Sequence, residues 1–406
     1  MNTFENVKDD DKKYIANTYG RFDLELVKGH GSLLYDETGR EYIDLGTGIA
    51  VNAFGAGDDE WKQAVIEQIN NIPHTSNLYY SVPQVKLAKL LCEKTGMKKV
   101  FFGNSGAEAN ECAIKVARKY SSDKYGDDRN VIITLVNSFH GRTVTTLSAT
   151  GQDVFHKSFG PFTEGFVYAH ANDIDEVKQL CRSNKVCGIM MELIQGEGGI
   201  FVLDKGFVKE VEKLCKENDY CMIIDEVQTG NGRTGKLYDF MNYDITPDVV
   251  STAKGIAGGL PFGACMIGEK CENVLDPGSH GSTFGGNPVS AAGACSIISR
   301  IDDELLKGVM ERSAYIIEKI SGKKQDDLYK GFYESEVEGI ESISGMGLML
   351  GIKTMGNNKT IVNECIKRGV ICLTAKDKVR LLPALNIPMD QLEKAIDTLL
   401  EVIKEN

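Results

Sequence analysis

Asp225 ends the apolar run Cys221–Ile224, and twenty-nine residues later (254 − 225) Lys254 stands among apolar and small residues in "DVVSTAKGIAGGLPFGA". A carboxylate at a buried strand end needs a partner, because unpaired burial is costly. It can cap the following turn, or it can hold a cationic aromatic nitrogen. At ~4 Å and an effective dielectric of ~20 that second attraction is about 4 kcal/mol. A lysine with little water around it has a lowered pKa and becomes a nucleophilic amine, although a single lysine more often snorkels to solvent. A third group lies in "FFGNSGAEANECAIKVARKY". There a strand ends at Phe102 and a helix starts near Ala107. The outward amides of such a helix start suit a phosphate; Ser105 or Asn104 can equally be a cap that serves stability alone.

In combination these groups carry more than each does singly. A phosphate turn, an aspartate for a ring nitrogen and a desolvated lysine are three things pyridoxal phosphate requires. The lysine forms a Schiff base, the aspartate preserves the electron sink and the helix terminus anchors the phosphate. A competing signal follows Asp225 in "IIDEVQTGNGRTGKL". Gly230, Gly232 and Gly235 fit G-x-G-x-x-G, and Gly235-Lys236 comes within one residue of a P-loop. A dinucleotide turn needs its first glycine directly after a strand and a helix opening at the last. Here Glu226–Thr229 intervene, and "KLYDFMNYDITPD" lacks helical periodicity. Leu237 stands where a magnesium-binding Ser/Thr belongs. A plain loop is the better reading.

The elements that must position these groups show in the periodicity. From about 98 to 290, "KVFF", "VIITLV", "CGIMME" and "CMIIDE" alternate with helical patterns, such as Ala109, Cys112, Ala113, Val116, Ala117 and Tyr120. Continuous apolar strands between helices predict a mostly parallel sheet covered on both faces, with ligands at its carboxyl edge. Upstream, "GSLLYDETGREYIDL" predicts two short strands around a Glu37–Gly39 turn. A helix after Asp58-Asp59 should bury Trp61, Val65, Ile66 and Ile69. Downstream, one long helical stretch is expected from about 291 to 320, then short strands, then a last helix burying Leu392, Ala395, Ile396, Leu399, Leu400 and Ile403. The expected organisation is an α/β fold: an N-terminal arm and strands (1–55) joining a smaller α+β domain (291–406), around a large domain (56–290).

The 406 residues suffice for a large core and a second lobe. Lys+Arg 46 against Asp+Glu 58 gives a net charge of −12, which argues against general nucleic-acid binding. An anionic substrate must then meet a few local arginines. The 11 cysteines stand singly, with no zinc spacing, so no metal is expected and the thiols read as reduced. The N-terminus lacks a secretory signal, and no apolar run approaches the ~18 residues of a membrane span. A soluble cytoplasmic protein is expected.

The motifs "NSGAEANECAIKVARK", "SFHGRT", "MELIQGEGGI", "IIDEVQTGNGRTGKL", "STAKGIAGGLPFGA", "GSTFGGNP" and "VRLLPALNI" occur in one order between Val27 and Asn386. In them the chain closely resembles the class III pyridoxal-phosphate aminotransferases. The resemblance implies fold type I and a homodimer with shared active sites. It implies ping-pong transfer of the δ-amino group of N2-acetylornithine to 2-oxoglutarate, as in arginine biosynthesis. Other ω-amino donors (succinylornithine, ornithine, 4-aminobutyrate) are the nearer alternative, and a nicotinamide dehydrogenase using Gly230–Gly235 the distant one. Lys254 is assigned to the cofactor linkage and proton transfer, and Asp225 to the pyridine nitrogen. Val227 and Gln228, in the run with Glu226, are expected at the ring, with Phe139 stacked on it and His140 structural. Ser105, Gly106 and Ala107 are expected on the phosphate, with Thr283 reaching it from the other subunit. Arg142 would take a substrate carboxylate, with Ser282 nearby. Arg380 would take a second carboxylate and be masked otherwise by Glu197, with Glu192 in the same acidic cluster. Two segments depart from the pattern: "AGDDEW" (56–61) replaces a histidine-and-proline stretch near the family's substrate entrance, and "LLPAL" replaces a double proline.

Overall fold

A computed structural model describes residues 4–406. Its centre is a seven-stranded sheet: β1 (Lys99–Gly103), β2 (Val131–Leu135), β3 (Phe166–Ala169), β4 (Val186–Met191), β5 (Cys221–Asp225), β6 (Val249–Thr252) and β7 (Gly263–Ile267). The spatial order is β1-β7-β6-β5-β4-β2-β3, and only β7 runs against its neighbours. Each apolar run predicted as a strand is one. Strands β4 to β7 are buried along their whole length, as a sheet covered on both faces requires. The carboxyl ends of β1, β2, β4, β5 and β6 therefore open on one edge.

Helices α1 (Asp59–Asn71), α2 (Val82–Thr95), α3 (Gly106–Tyr125), α4 (Lys205–Asn218), α5 (Pro288–Ser299), α6 (Asp303–Ser321) and α7 (Met389–Glu405) carry the surrounding layers. The stretch expected as one helix after 290 is two. Asp302 accepts from the Leu305 amide and starts α6 anew, while α5 packs against α1 and α2. On α1 the expected buried face is only half realised: α5 meets Trp61 and Val65, and the flank with Ile66 and Ile69 stays exposed. The last helix buries Leu392, Ala395, Ile396, Leu399 and Ile403 and half-buries Leu400.

Besides a two-stranded pairing of Ile194–Gln195 with Phe201–Val202, two larger sheets complete the frame. Leu26–His30, Leu33–Asp36 and Glu41–Asp44 form an antiparallel meander whose last strand pairs in parallel with Val370–Ile371. Five antiparallel strands, Phe332–Glu334, Ile340–Met346, Met349–Thr354, Lys378–Leu381 and Leu373–Ala375, present Arg380 from the fourth. Among the described residues no helix is long and apolar enough to cross a membrane.

Candidate active site

A cavity of about 450 Å³ opens at the carboxyl edge of the central sheet. It is lined by ten of the residues singled out from the sequence: Ser105, Gly106, Ala107, Phe139, Arg142, Glu192, Asp225, Val227, Gln228 and Lys254.

At one wall β1 turns into α3. Ser105 takes an extended backbone and its Oγ accepts from the Glu108 amide at 3.1 Å, so it is a true N-cap. The capping reading is met, and the amides of Gly106 and Ala107, residues that line the cavity, find no acceptor among the described residues, as an anion site requires. A side chain at 106 would put Cβ 2.8 Å from Val227 Cγ1, so only glycine lets the helix start lie this close to the β5 turn.

Asp225 closes β5, buried and fully engaged. Its Oδ2 accepts from Asn110 Nδ2 at 2.7 Å and from His140 Nδ1 at 2.8 Å, and its Oδ1 accepts from the Val227 amide at 3.0 Å. Two of these three donors escaped the sequence reading. Asn110 carried a signal nonetheless, as a polar residue inside the apolar stripe of α3. His140 had only its place beside Phe139. The Phe139 ring stands edge-on to Phe155 (centroids 5.7 Å apart), and the Arg142 guanidinium covers both rings, 5.3 Å and 4.1 Å from their centroids.

Lys254 follows β6 in a left-handed backbone (φ 47°), opening the 3₁₀ turn Lys254–Ala257. A non-glycine residue there is strained, and such strain is held only where the surroundings over-determine it. Its surface is partly open to the cavity, yet burial is the main influence on its amine. Burial pushes the pKa down to about 8, against the pull of Glu197, with Arg380 lowering it further and Asp225 and Glu192 raising it. The snorkelling alternative is thereby set aside.

Behind the cavity-lining Gln228, Arg380, almost wholly buried, sets Nη1 2.6 Å from Glu197 Oε1 and 3.3 Å from Gln228 Oε1. Burial disfavours the Glu197 charge, but the Arg380 guanidinium holds its carboxyl below the usual range. Glu192 goes the other way: burial, then the Asp225 charge, raise it well above the usual range, and its oxygens accept from the Phe139 and Gly196 amides at 2.9 and 3.3 Å. Arg142 is exposed and forms no ion pair among the described residues, which leaves a cation free at the cavity rim.

Five expected residues do not line the cavity: Glu197 and Arg380, which meet it through Gln228, and Glu226, Ser282 and Thr283. Glu226 alternates to the opposite face of the chain from Asp225, and its carboxylate binds Thr229 Oγ1 and the Phe240 amide, away from the cavity. Ser282 accepts from Asn104 Nδ2 at 3.0 Å behind the phosphate turn, and Thr283 is exposed on the outer surface. The "AGDDEW" segment is not at the cavity either. Asp58 caps α1 and pairs with Arg300, while Trp61 Nε1 donates to the Ala257 carbonyl behind the lysine turn. The dinucleotide alternative fails on structure: Gly230–Gly235 are buried and no α-helix opens after Gly235.

The donor set fits pyridoxal phosphate. Free first-turn amides suit the phosphate, the Asp225 carboxylate suits a protonated ring nitrogen, Val227 and Phe139 suit the ring faces, and the Lys254 amine suits an aldehyde. Residues 14–403 match the family "Aminotransferase class-III". The chain is 46% identical over 405 residues to an acetylornithine aminotransferase of Haemophilus ducreyi, covering 99% of this chain and 100% of that one. It is 40% identical over 391 residues to a succinylornithine transaminase of Salmonella paratyphi A, covering 95% and 93%. An ornithine aminotransferase of Toxoplasma gondii, whose structure is described with PLP at partial occupancy in the active site, superposes with a TM-score of 0.91 at 27% identity, over 99% of this chain and 95% of that one. Lysine turn, strand-end aspartate, helix-start amides and these likenesses converge: the chain belongs to the class-III aminotransferases, with pyridoxal 5′-phosphate as its cofactor.

Proposed function

We propose that the protein transfers the δ-amino group of N2-acetyl-L-ornithine to 2-oxoglutarate, giving N-acetyl-L-glutamate 5-semialdehyde and L-glutamate. The observation that carries this is the Arg380–Glu197 contact at 2.6 Å, two charged groups near enough to act on the Lys254 amine. One pocket must accept glutamate or 2-oxoglutarate, with two carboxylates, and an acylated ornithine with one. A guanidinium that exchanges a protein carboxylate for a substrate carboxylate meets both demands.

The bound cofactor supplies a carbonyl carbon that takes up amino groups and a ring that spreads the electron pair left when a substrate proton departs. Ser105 with the Gly106 and Ala107 amides would hold its phosphate, Asp225 its ring nitrogen, and Phe139 and Val227 its faces. Gln228 would lie beside the ring oxygen. Lys254 removes the proton from the amino-bearing carbon of the substrate and returns it on the cofactor side, as base and then acid. Arg142 orients the carboxylate common to both substrates. Glu197 occupies Arg380 while the donor is bound and yields it to the second carboxylate of 2-oxoglutarate.

The working unit in this reading is a cytoplasmic homodimer, in which Thr283 of the partner subunit would reach the phosphate and Ser282 support it. In support, Leu78, Tyr80, Val82 and Phe284 are exposed at 88%, 102%, 81% and 61%. Asn77 Nδ2 ties this apolar face to Ser282 and Gly285 carbonyls at 3.0 and 2.9 Å. All 11 cysteines are free, in keeping with a reducing cytosol.

Purified enzyme should turn over N2-acetylornithine with at least about tenfold higher kcat/KM than ornithine or 4-aminobutyrate, a margin of about 1.4 kcal/mol. Succinylornithine is the close rival, because one relative carries that name. A panel led by another donor would replace the substrate and leave the reaction type standing.

A further inference from the structure

The strained turn that presents Lys254 is gripped at both ends by side chains with no contact to the cavity. On its amino side stands Asn231, the third residue of the glycine-rich loop "TGNGRTG". Asn231 is buried and itself left-handed (φ 59°). Both protons of its Nδ2 are used on the approach to the lysine: one on Thr252 Oγ1 at 3.1 Å, one on the Ala253 carbonyl at 3.1 Å. The Ala253 carbonyl also accepts from the Ile256 amide at 3.1 Å, closing the 3₁₀ turn. Ala253 has an unusual backbone (φ −162°, ψ −141°) directly before the left-handed Lys254. Asn231 Oδ1 faces the hydroxyl of Tyr238, which is wholly buried, at 3.4 Å.

On the carboxyl side stands Trp61. Its Nε1 donates to the carbonyl of Ala257, the last residue of the turn, at 2.9 Å. The indole fills a slot bounded by glycines: a Cβ at Gly258 (φ 61°) or at Gly293 would each lie 2.8 Å from Nε1. The glycine-rich loop is anchored in turn beside the strand that carries Arg380. Arg233 Nη1 donates to the carbonyls of Leu348 and Pro383, the latter two residues beyond the strand Lys378–Leu381 that presents Arg380.

We propose that Asn231 and Trp61 are positioning residues for Lys254, a two-sided clamp that fixes the left-handed turn and so aims the amine into the cavity. The glycine-rich loop has thereby a task in catalysis, though no nucleotide lies on it. A left-handed lysine is strained and persists only against such restraint. An error of about 1 Å at a reacting group costs about 100-fold in rate. Two hydrogen bonds before the turn and one after it supply the restraint at the points where the chain enters and leaves it. The inference rests on the function proposed above only in taking Lys254 as the proton-transferring amine.

The test uses Asn231→Gly, which removes the side chain and still tolerates the positive φ, and Trp61→Phe, which removes the donor and keeps an aromatic ring. Four quantities are read against the wild type: kcat and KM with the best donor, melting temperature, and the pH midpoint of Lys254 labelling by an amine-reactive sulfonate in the cofactor-free protein. The clamp predicts a 10- to 100-fold lower kcat for Asn231→Gly with KM within about twofold. It predicts a smaller loss of the same kind for Trp61→Phe. In both variants the labelling midpoint moves up, as the loosened amine meets more water. Unchanged kcat and midpoint, with only a lower melting temperature, would overturn it and leave both side chains as ordinary packing. Should Asn231→Gly not fold, Trp61→Phe decides alone by the same readings. A wild type without transaminase activity would sink the proposed function instead, and the labelling comparison would still judge the clamp.

Discussion

His140 Nδ1 and Asp225 Oδ2 lie 2.8 Å apart, both out of contact with solvent. The carboxylate faces Nδ1, so that nitrogen carries the proton and donates it. With Asn110 and the Val227 amide, the imidazole fixes the carboxylate at the end of β5. Asp225→Asn keeps the shape and removes the charge. A pairing of about 4 kcal/mol is then lost, which predicts cofactor affinity down by about 1000-fold. His140→Leu leaves the charge and removes one donor, so the loss should be nearer tenfold. Equilibrium titration of the cofactor-free protein with pyridoxal phosphate checks both. Equal losses would mean that His140 acts only by filling space.

Lys254 should react as an unusually acidic ammonium. Its pKa of about 8 lies below the ordinary lysine value, so the neutral amine forms as pH rises through about 8. Labelling of Lys254 in the cofactor-free protein should therefore reach half its maximal rate near pH 8, while surface lysines respond more than two pH units higher. Lys254→Ala should lose the visible absorbance of the lysine-bound cofactor and all turnover. Full activity in that variant would refute the assignment.

Glu197→Gln frees Arg380 from its partner. The donor half-reaction, whose substrate leaves Arg380 unmatched, should lose about tenfold in kcat/KM, while KM for 2-oxoglutarate falls. Arg380→Lys discards the planar fork and should cost the 2-oxoglutarate half-reaction about 100-fold. Single-turnover measurements of each half-reaction separate the two. Parallel changes in both half-reactions would count against an exchange of carboxylates.

Glu226 and Asp239 give the fold a pH dependence of unusual sign. Burial and the neighbouring Asp239 charge push Glu226 up to about 8, and burial pushes Asp239 up to about 6. With folded pKa values above the unfolded ones, the native state holds more protons from about pH 4 to 8. Stability from this pair is present at low pH and falls as pH rises through that window. Glu226→Gln should flatten the decline and raise the melting temperature at pH 8 relative to wild type. A steeper decline would contradict the assignment.

Much of this site was legible because its groups sit where sheet edges must put them. Strand ends at Phe102, within one residue of the observed Gly103, and at Asp225 followed from apolar runs alone, and a parallel sheet gathers such ends on one edge. What escaped were groups defined by long-range contacts. The Asn110 and His140 bonds to Asp225 span 115 and 85 residues, and no local pattern announces them. Glu226 was misjudged by adjacency, since neighbouring residues in extended chain face opposite ways. The divided helix after 290 was missed because Asp302 had to be weighed as a cap within a run whose periodicity continues on both sides. Trp61 lay in a segment expected at the substrate entrance and holds the lysine turn from behind.

The pairing of Glu41–Asp44 with Val370–Ile371 bears on how the molecule is made. Ile43 donates its amide to Gly369 and Leu45 to Ile371, both at 2.8 Å, and Leu382 donates back to Leu45 at 2.7 Å. Chains emerge from the ribosome amino end first. The first meander therefore keeps one strand edge unsatisfied until nearly the whole polypeptide has been synthesised, and that edge is open to foreign strands meanwhile. Nascent chains cut short before residue 369 should accordingly be the species that chaperones hold, and the wall bearing Arg380 is among the last parts of the enzyme to be built.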